Sequence, residues 1–177
     1  MTESTYYIGI DPGKTGAWAV LDDASELCSW GMLVDKIKFF DALRDLRHMS
    51  VPMLACIECS NARPGQATKA TKAQGFNEGR VQGWIEAANI PFESVSSNRW
   101  QKVALDKAPP HKLKSADESP KETSKRTAAN RAALKLATVE FVSRRWPVTA
   151  KDLALVKNQG IADAVCIALY CLQRNKN

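Results

Sequence analysis

No apolar run in this 177-residue chain approaches the roughly 18 residues of a membrane-spanning helix. The opening stretch MTESTYYIGI also lacks the basic-then-apolar pattern of a secretory leader. The expectation is a cytoplasmic protein. Histidine is nearly absent: His48 and His111 stand in no metal-binding context, and both are read as exposed. The five cysteines (Cys28, Cys56, Cys59, Cys166 and Cys171) are odd in number, and four lie in apolar runs, so packed, reduced thiols are expected rather than a disulfide framework. Cys56 and Cys59 form a C-x-x-C, but no second Cys pair or nearby His completes a zinc site. Internal repeats are lacking too. What remains is 45% hydrophobic and 25% charged, the composition of one globular domain over residues 1–177.

Charge is unevenly spread. Lys and Arg number 25 against 19 Asp and Glu, net +6, yet residues 1–60 carry net −4 and residues 61–177 net +10. Residues 99–145 alone hold 12 bases and 5 acids. A neutral-to-acidic half joined to a basic half suits a nucleic-acid partner, because phosphates are bound by Lys and Arg; the same pattern is also met on a solvated basic surface.

Hydrophobic periodicity predicts an α/β protein. Residues 5–11 and 16–21 read as strands joined by a turn at Pro12-Gly13, with a third strand near 27–33. A helix over 35–47 places Ile37, Phe40, Leu43 and Leu46 on one face, with Asp35 as N-cap. A buried strand over 52–58, a helix over about 73–89 and a strand over 90–95 follow. Residues 106–125 are polar and Pro-containing, and are expected to form a mobile basic loop. Helices over 126–145 and 160–172 close the chain.

The chemistry is concentrated in acids attached to apolar elements. Asp11 ends the first strand before a tight turn. Gly13-Lys14-Thr15 resembles part of a phosphate-binding P-loop, but the first glycine of that motif would fall on Ile8, and AWAVL alternates as a strand where a helix is required. Glu58 ends the strand PMLACIE, and Asp163 lies in the apolar closing helix GIADAVCIALY. If the strands ending in Asp11 and Glu58 are neighbours, their carboxylates stand about 5 Å apart. Two such anions repel unless cations intervene, and hard oxygen donors suit Mg²⁺ or Mn²⁺. Two such ions can activate water and stabilise the leaving oxygen of a phosphodiester.

These residues resemble a known family. The order of elements and the acids resemble the ribonuclease H-like fold, a mixed five-stranded sheet flanked by helices. More narrowly, IGIDPGKTGAWAV, then CIECSNARPGQATKATKAQGFNEGRVQGWIEAANIPFESVSSNRWQK, then GIADAVCIALY resemble the RuvC-type Holliday junction resolvases, especially small phage and prophage members. The resemblance implies a structure-selective, metal-dependent endonuclease that nicks opposing strands of a four-way DNA junction, leaving 5′-phosphate and 3′-hydroxyl ends. It implies Asp11, Glu58 and Asp163 as ligands of two Mg²⁺ ions, with Mn²⁺ as substitute. It also implies a homodimer in a bacterial or phage-infected cell, acting in recombination and repair. The family has a fourth ligand, Asp or His, three or four residues before the last Asp. Here those positions are Gly160 and Gln159, so the site is altered at Gln159, or another group such as Asp152 supplies the contact.

Other positions follow the same reading. Lys14, Arg63, Lys69, Lys72, Arg80, Lys102, Lys107, Lys112 and Lys114 are expected to meet DNA. Trp100 is expected in the core. Gly75, Gly79 and Gly83 share one helical face and mark either tight packing on the sheet or a dimer contact, since each glycine costs a helix roughly 0.8–1 kcal/mol relative to Ala. Two other readings within reach are a nuclease for flaps and forks and a junction-binding protein without cleavage. An Hsp70-like ATPase also opens on an acidic-glycine hairpin, but 177 residues are too few for its two lobes.

Overall fold

The computed structural model describes residues 4–13, 15–59, 68–105 and 117–176. Five strands form one sheet in the order β3-β2-β1-β4-β5. They are β1 (Tyr6–Asp11), β2 (Ala17–Leu21), β3 (Leu27–Met32), β4 (Met53–Cys59) and β5 (Phe92–Ser96). The first three form an antiparallel meander, while β4 runs parallel to β1 and β5 parallel to β4. Helices α1 (Lys36–His48) and α2 (Thr68–Ala87) supply the two crossovers. Then come α3 (Ser97–Ala104), α4 (Pro120–Arg145), α5 (Ala150–Leu153) and α6 (Gly160–Asn175). The mixed sheet flanked by helices matches the expected fold class.

Alternation along the strands assigns the two faces. Ile8, Ile10, Trp18, Val20, Ala55 and Ile57 point to the side covered by α1 and α2. Tyr7, Ala17, Ala19, Leu21, Cys56 and Val95 point to the side covered by α6, with Trp100, Val142 and Trp146 behind it. From Gly160 to Leu172, α6 is buried at every residue except the half-buried Asp163. A helix apolar all round must be enclosed, and α6 lies between the sheet and the α3–α4 layer.

Two expectations need correction. On α1 the buried residues are Phe39, Leu43 and Leu46, whereas Ile37 is 76% exposed and Phe40 41%. Strict three-residue spacing drifts around a 3.6-residue helix, which puts Ile37 and Leu46 on opposite sides; the stripe that keeps to the sheet is i, i+4, i+7. Asp35 does cap the helix, accepting from the Lys38 N–H at 3.2 Å. The second correction concerns 106–125. Residues 106–116 lie outside the described part, but α4 begins at Pro120, so the polar stretch from 120 onward is helical. Ser119 and Glu122 form a reciprocal capping box and Pro120 occupies the first helical turn. Composition argued for a loop, and the capping chemistry overrode it.

The free cysteines divide by position: Cys56, Cys166 and Cys171 are buried, Cys59 is half-buried and Cys28 is exposed on β3. His48 is exposed and Trp100 is buried, as expected.

The tightest packing is between α6 and β1. A Cβ at Gly9 would lie 2.1 Å from both the Ala164 carbonyl oxygen and the Ala168 nitrogen, so helix backbone rests on strand backbone there. Substitution Gly9→Ala should therefore lower unfolding free energy by at least about 2 kcal/mol, because the obstructing atoms are main chain and cannot rotate away. Urea midpoints of the two proteins measure this.

Candidate active site

Register brings the first two acids together. β1 and β4 are parallel neighbours with Ile10 opposite Ile57, so Asp11 and Glu58 are the next pair in the ladder. Neighbouring strands are about 4.8 Å apart. Both acids share the parity of Gly9 and Cys56, and so face α6. The close contact at Gly9 then sets the first turn of α6, with Asp163 on it, above the carboxyl ends of those strands. Each of the three acids is half-buried.

Asp11 is fixed by the turn that follows it: its Oδ1 accepts from the Gly13 N–H at 2.9 Å. Gly16 must remain glycine, because a Cβ there would lie 2.7 Å from the Asp11 carbonyl oxygen. Glu58 has the buried indole of Trp100 as a neighbour. The Trp100 N–H favours the Glu58 anion yet falls short of hydrogen-bond geometry, and has no hydrogen-bond partner among the described residues. Asp163 is paired with Lys135, whose ammonium donates to Oδ2 from α4.

Burial holds all three carboxyls above their ordinary range, and repulsion adds to it at Asp11 and Glu58. Desolvation, then the charge of Asp163, pushes Asp11 up to about 6. Glu58 is pushed up to about 8 by desolvation, then by Asp11 and Asp163. Asp163 is raised by desolvation, and the Lys135 charge only partly offsets it. Such a cluster is incomplete without positive charge. Its donors are all carboxylate oxygens, the chemistry that Mg²⁺ and Mn²⁺ prefer. Among the described residues no three His, Cys, Asp or Glu side chains converge as ligands of one ion. In its chemistry the donor set fits a divalent ion that keeps water or phosphate in part of its shell, the way Mg²⁺ is commonly held.

The expected fourth position takes a definite form. A Cβ at Gly160 would lie 2.4 Å from the Thr15 carbonyl oxygen, so no side chain fits there. Gln159 is therefore the residue left at the edge of the site, half-buried, just before α6. Asp152 does not replace it. Its Oδ2 accepts from the indole N–H of Trp30 at 2.9 Å, on edge strand β3, two strands from β1.

The expected DNA contacts divide. Lys72, on the second turn of α2, and Lys102, on α3 just beyond β5, are exposed and lie toward the same end of the sheet as the acids. Arg80 is elsewhere: it stacks on Trp84 at 5.0 Å and Phe76 at 5.9 Å, farther along α2. Lys14, Arg63, Lys107, Lys112 and Lys114, the side chain of Lys69, and His111 lie outside the described residues. Among the described residues nothing lies within 4 Å of where a Cβ of Gly75, Gly79 or Gly83 would stand, which corrects the expectation of tight packing on the sheet. The sheet side of α2 is Val81 and Ile85, about 200° around the helix from Gly79 and Gly83. Lys135 was missed by sequence reasoning, since nothing local links it to an acid 28 residues later.

The chain was compared with known proteins. No protein-family model and no curated protein matches it. Among solved structures, RuvC of T. thermophilus in complex with Holliday junction substrate aligns over 98% of this chain and 96% of its own, with a TM-score of 0.53 and 15% identity. The fold is that of RuvC. A second Thermus thermophilus RuvC structure gives a TM-score of 0.49 at 16% identity, covering 98% and 96% of the two chains. A complex of Fowlpox virus resolvase with Holliday junction DNA gives 0.44 at 13% identity, covering 97% and 99%.

The raised carboxyls have a consequence for stability. In the unfolded chain Asp11 and Glu58 return to ordinary acidity, so stability without added cations is full below that range. It is lost as pH rises through about 6 and about 8. The metal-free thermal midpoint should fall between about pH 5 and about pH 9, and Glu58→Gln should raise it at the alkaline end and flatten the slope. Melting curves across that range, with chelator present, test this.

Proposed function

We propose that the protein is a metal-dependent endonuclease that resolves four-way DNA junctions. The observation that carries this reading is the placement of Asp11 and Glu58 side by side at the carboxyl ends of two parallel strands, with Asp163 above them, in a chain with the fold of RuvC. The Thermus protein was solved with Holliday junction substrate, and the poxvirus protein with junction DNA. The net +10 over residues 61–177 supplies the charge that a phosphate backbone requires.

Asp11, Glu58 and Asp163 would hold up to two Mg²⁺ ions, with Mn²⁺ able to substitute. Bound there, the ions supply activation of a water and stabilisation of the leaving oxygen. The chain's own part is to fix the oxygens. The Asp11–Gly13 turn aims one carboxylate, the β4 register sets Glu58 beside it, and α6 brings Asp163 to both. Trp100, a buried wall behind Glu58, excludes solvent from that side. Hydrolysis by that water would form a new P–O bond and break P–O3′, a water proton passing to O3′, to leave a 5′-phosphate and a 3′-hydroxyl. Lys72 and Lys102 lie where they can track the flanking strands.

A four-way junction has two equivalent cleavage points, so two copies of the site are needed together. The open glycine face of α2 supports a homodimer through that helix, because nothing among the described residues accounts for three glycines there. A second reading, junction binding without cleavage, is favoured by Gln159 and by the exclusion of any side chain at Gly160.

The test is incubation of the full chain with a synthetic four-way junction, each strand 5′-labelled in turn, in Mg²⁺ or Mn²⁺, beside a linear duplex and a forked duplex. Paired symmetrical nicks specific to the junction are expected, with a loss of at least about 10²-fold in Asp11→Asn. Tight, salt-sensitive binding without nicks would favour the second reading, and recovery of cleavage by Gln159→Asp would locate the defect. Cutting the fork as readily as the junction would make it a broader branched-DNA nuclease.

A further inference from the structure

We infer that Lys135 is a resident cation of the carboxylate cluster and takes the place of one divalent ion while DNA is absent. The inference rests on the metal-dependent reading above and deepens it.

The argument is one of charge and position. Asp11, Glu58 and Asp163 ionised together carry three negative charges, each within electrostatic reach of the other two. Lys135 enters from α4, the layer that packs on α6 from the side away from the sheet. Its ammonium is bonded to Asp163, the acid that α6 sets above Asp11 and Glu58, so its charge is held beside the whole cluster. Three anions with one ammonium leave two negative charges, which one divalent ion neutralises. A second divalent ion would leave the half-buried cluster at net +2, beside an ammonium already seated on one of its ligands. In a low-dielectric site that excess is strongly disfavoured.

The geometry also shows how the lysine yields. Its side chain is 34% exposed against 16% for Asp163, so the amine end of the pair is the solvent-facing one. Lys135 has a long flexible stem and a point charge, which a DNA phosphate can draw away from the acid. Asp163 is then freed to accept a second ion. Full loading of the site is therefore coupled to the arrival of substrate, and free protein is held one ion short.

The experiment counts Mn²⁺ on the DNA-free full chain by titration calorimetry, with free Mn²⁺ followed by its electron paramagnetic resonance signal. Asp11→Asn is run alongside to subtract ions bound elsewhere. One Asp11-dependent ion per chain is expected for the wild type, two for Lys135→Met, and one for Lys135→Arg, which keeps the charge and serves as the folding control. Equal counts in wild type and Lys135→Met would overturn the inference while leaving metal binding intact, as would two ions in Lys135→Arg. No Asp11-dependent ion in any of the proteins would overturn both the inference and the metal-dependent reading beneath it.

Discussion

The approach of α6 to β1 at Gly9 is the contact on which the site depends. A strand normally keeps a helix at side-chain distance; here the missing Cβ lets the Ala164 carbonyl and the Ala168 nitrogen come down onto the strand itself. The small residues of α6 at that level, Ala164 and Ala168, are part of the same requirement. Lowering the helix brings its first turn to the carboxyl ends of β1 and β4, where the two strand acids already stand one ladder rung apart. Gly160 repeats the device at the helix start, where the chain rests on the Thr15 carbonyl and fixes the direction in which α6 leaves. Without these approaches Asp163 would be an acid on a core helix and not a third member of a cluster.

That cluster is expensive for the fold. Three carboxyls are brought close together in partial burial; desolvation drives each away from its ionised form, and neighbouring carboxylates add to this at Asp11 and Glu58. Such an arrangement persists only because the surrounding core is over-determined. α6 is buried on all sides, and Trp18, Phe39 and Ile57 seal the opposite face. Among the described residues the Gly13 N–H, the Trp100 N–H and the Lys135 ammonium offset part of that cost. The strain is stored in charge rather than in backbone angles.

Much of this was legible in the residues. The apolar strands ending in Asp11 and Glu58, the Asp35 cap and the enclosed closing helix follow from periodicity and end signals, which are local. The start of α4 was legible as well, in Ser119-Pro120-Lys121-Glu122, but bulk polarity across 106–125 hid it. The buried face of α1 was misplaced because four apolar residues at equal spacing looked like a stripe that the helical period does not sustain. Longer-range facts had no signal in the sequence. That Lys135 reaches Asp163, that Asp152 is held by Trp30, and that Gly75, Gly79 and Gly83 face away from the sheet are all products of tertiary packing. The acids could be found one at a time; their electrostatic partners could not.

The account stands or falls on whether the two strand acids share a cation. The most direct measurement is a crystal of the full chain soaked in Mn²⁺, with anomalous scattering collected near the manganese edge. An anomalous peak between the carboxylates of Asp11 and Glu58, absent from an Asp11→Asn crystal, is the predicted result. Manganese bound only at other surface carboxylates, with the space between Asp11 and Glu58 clear, would contradict it.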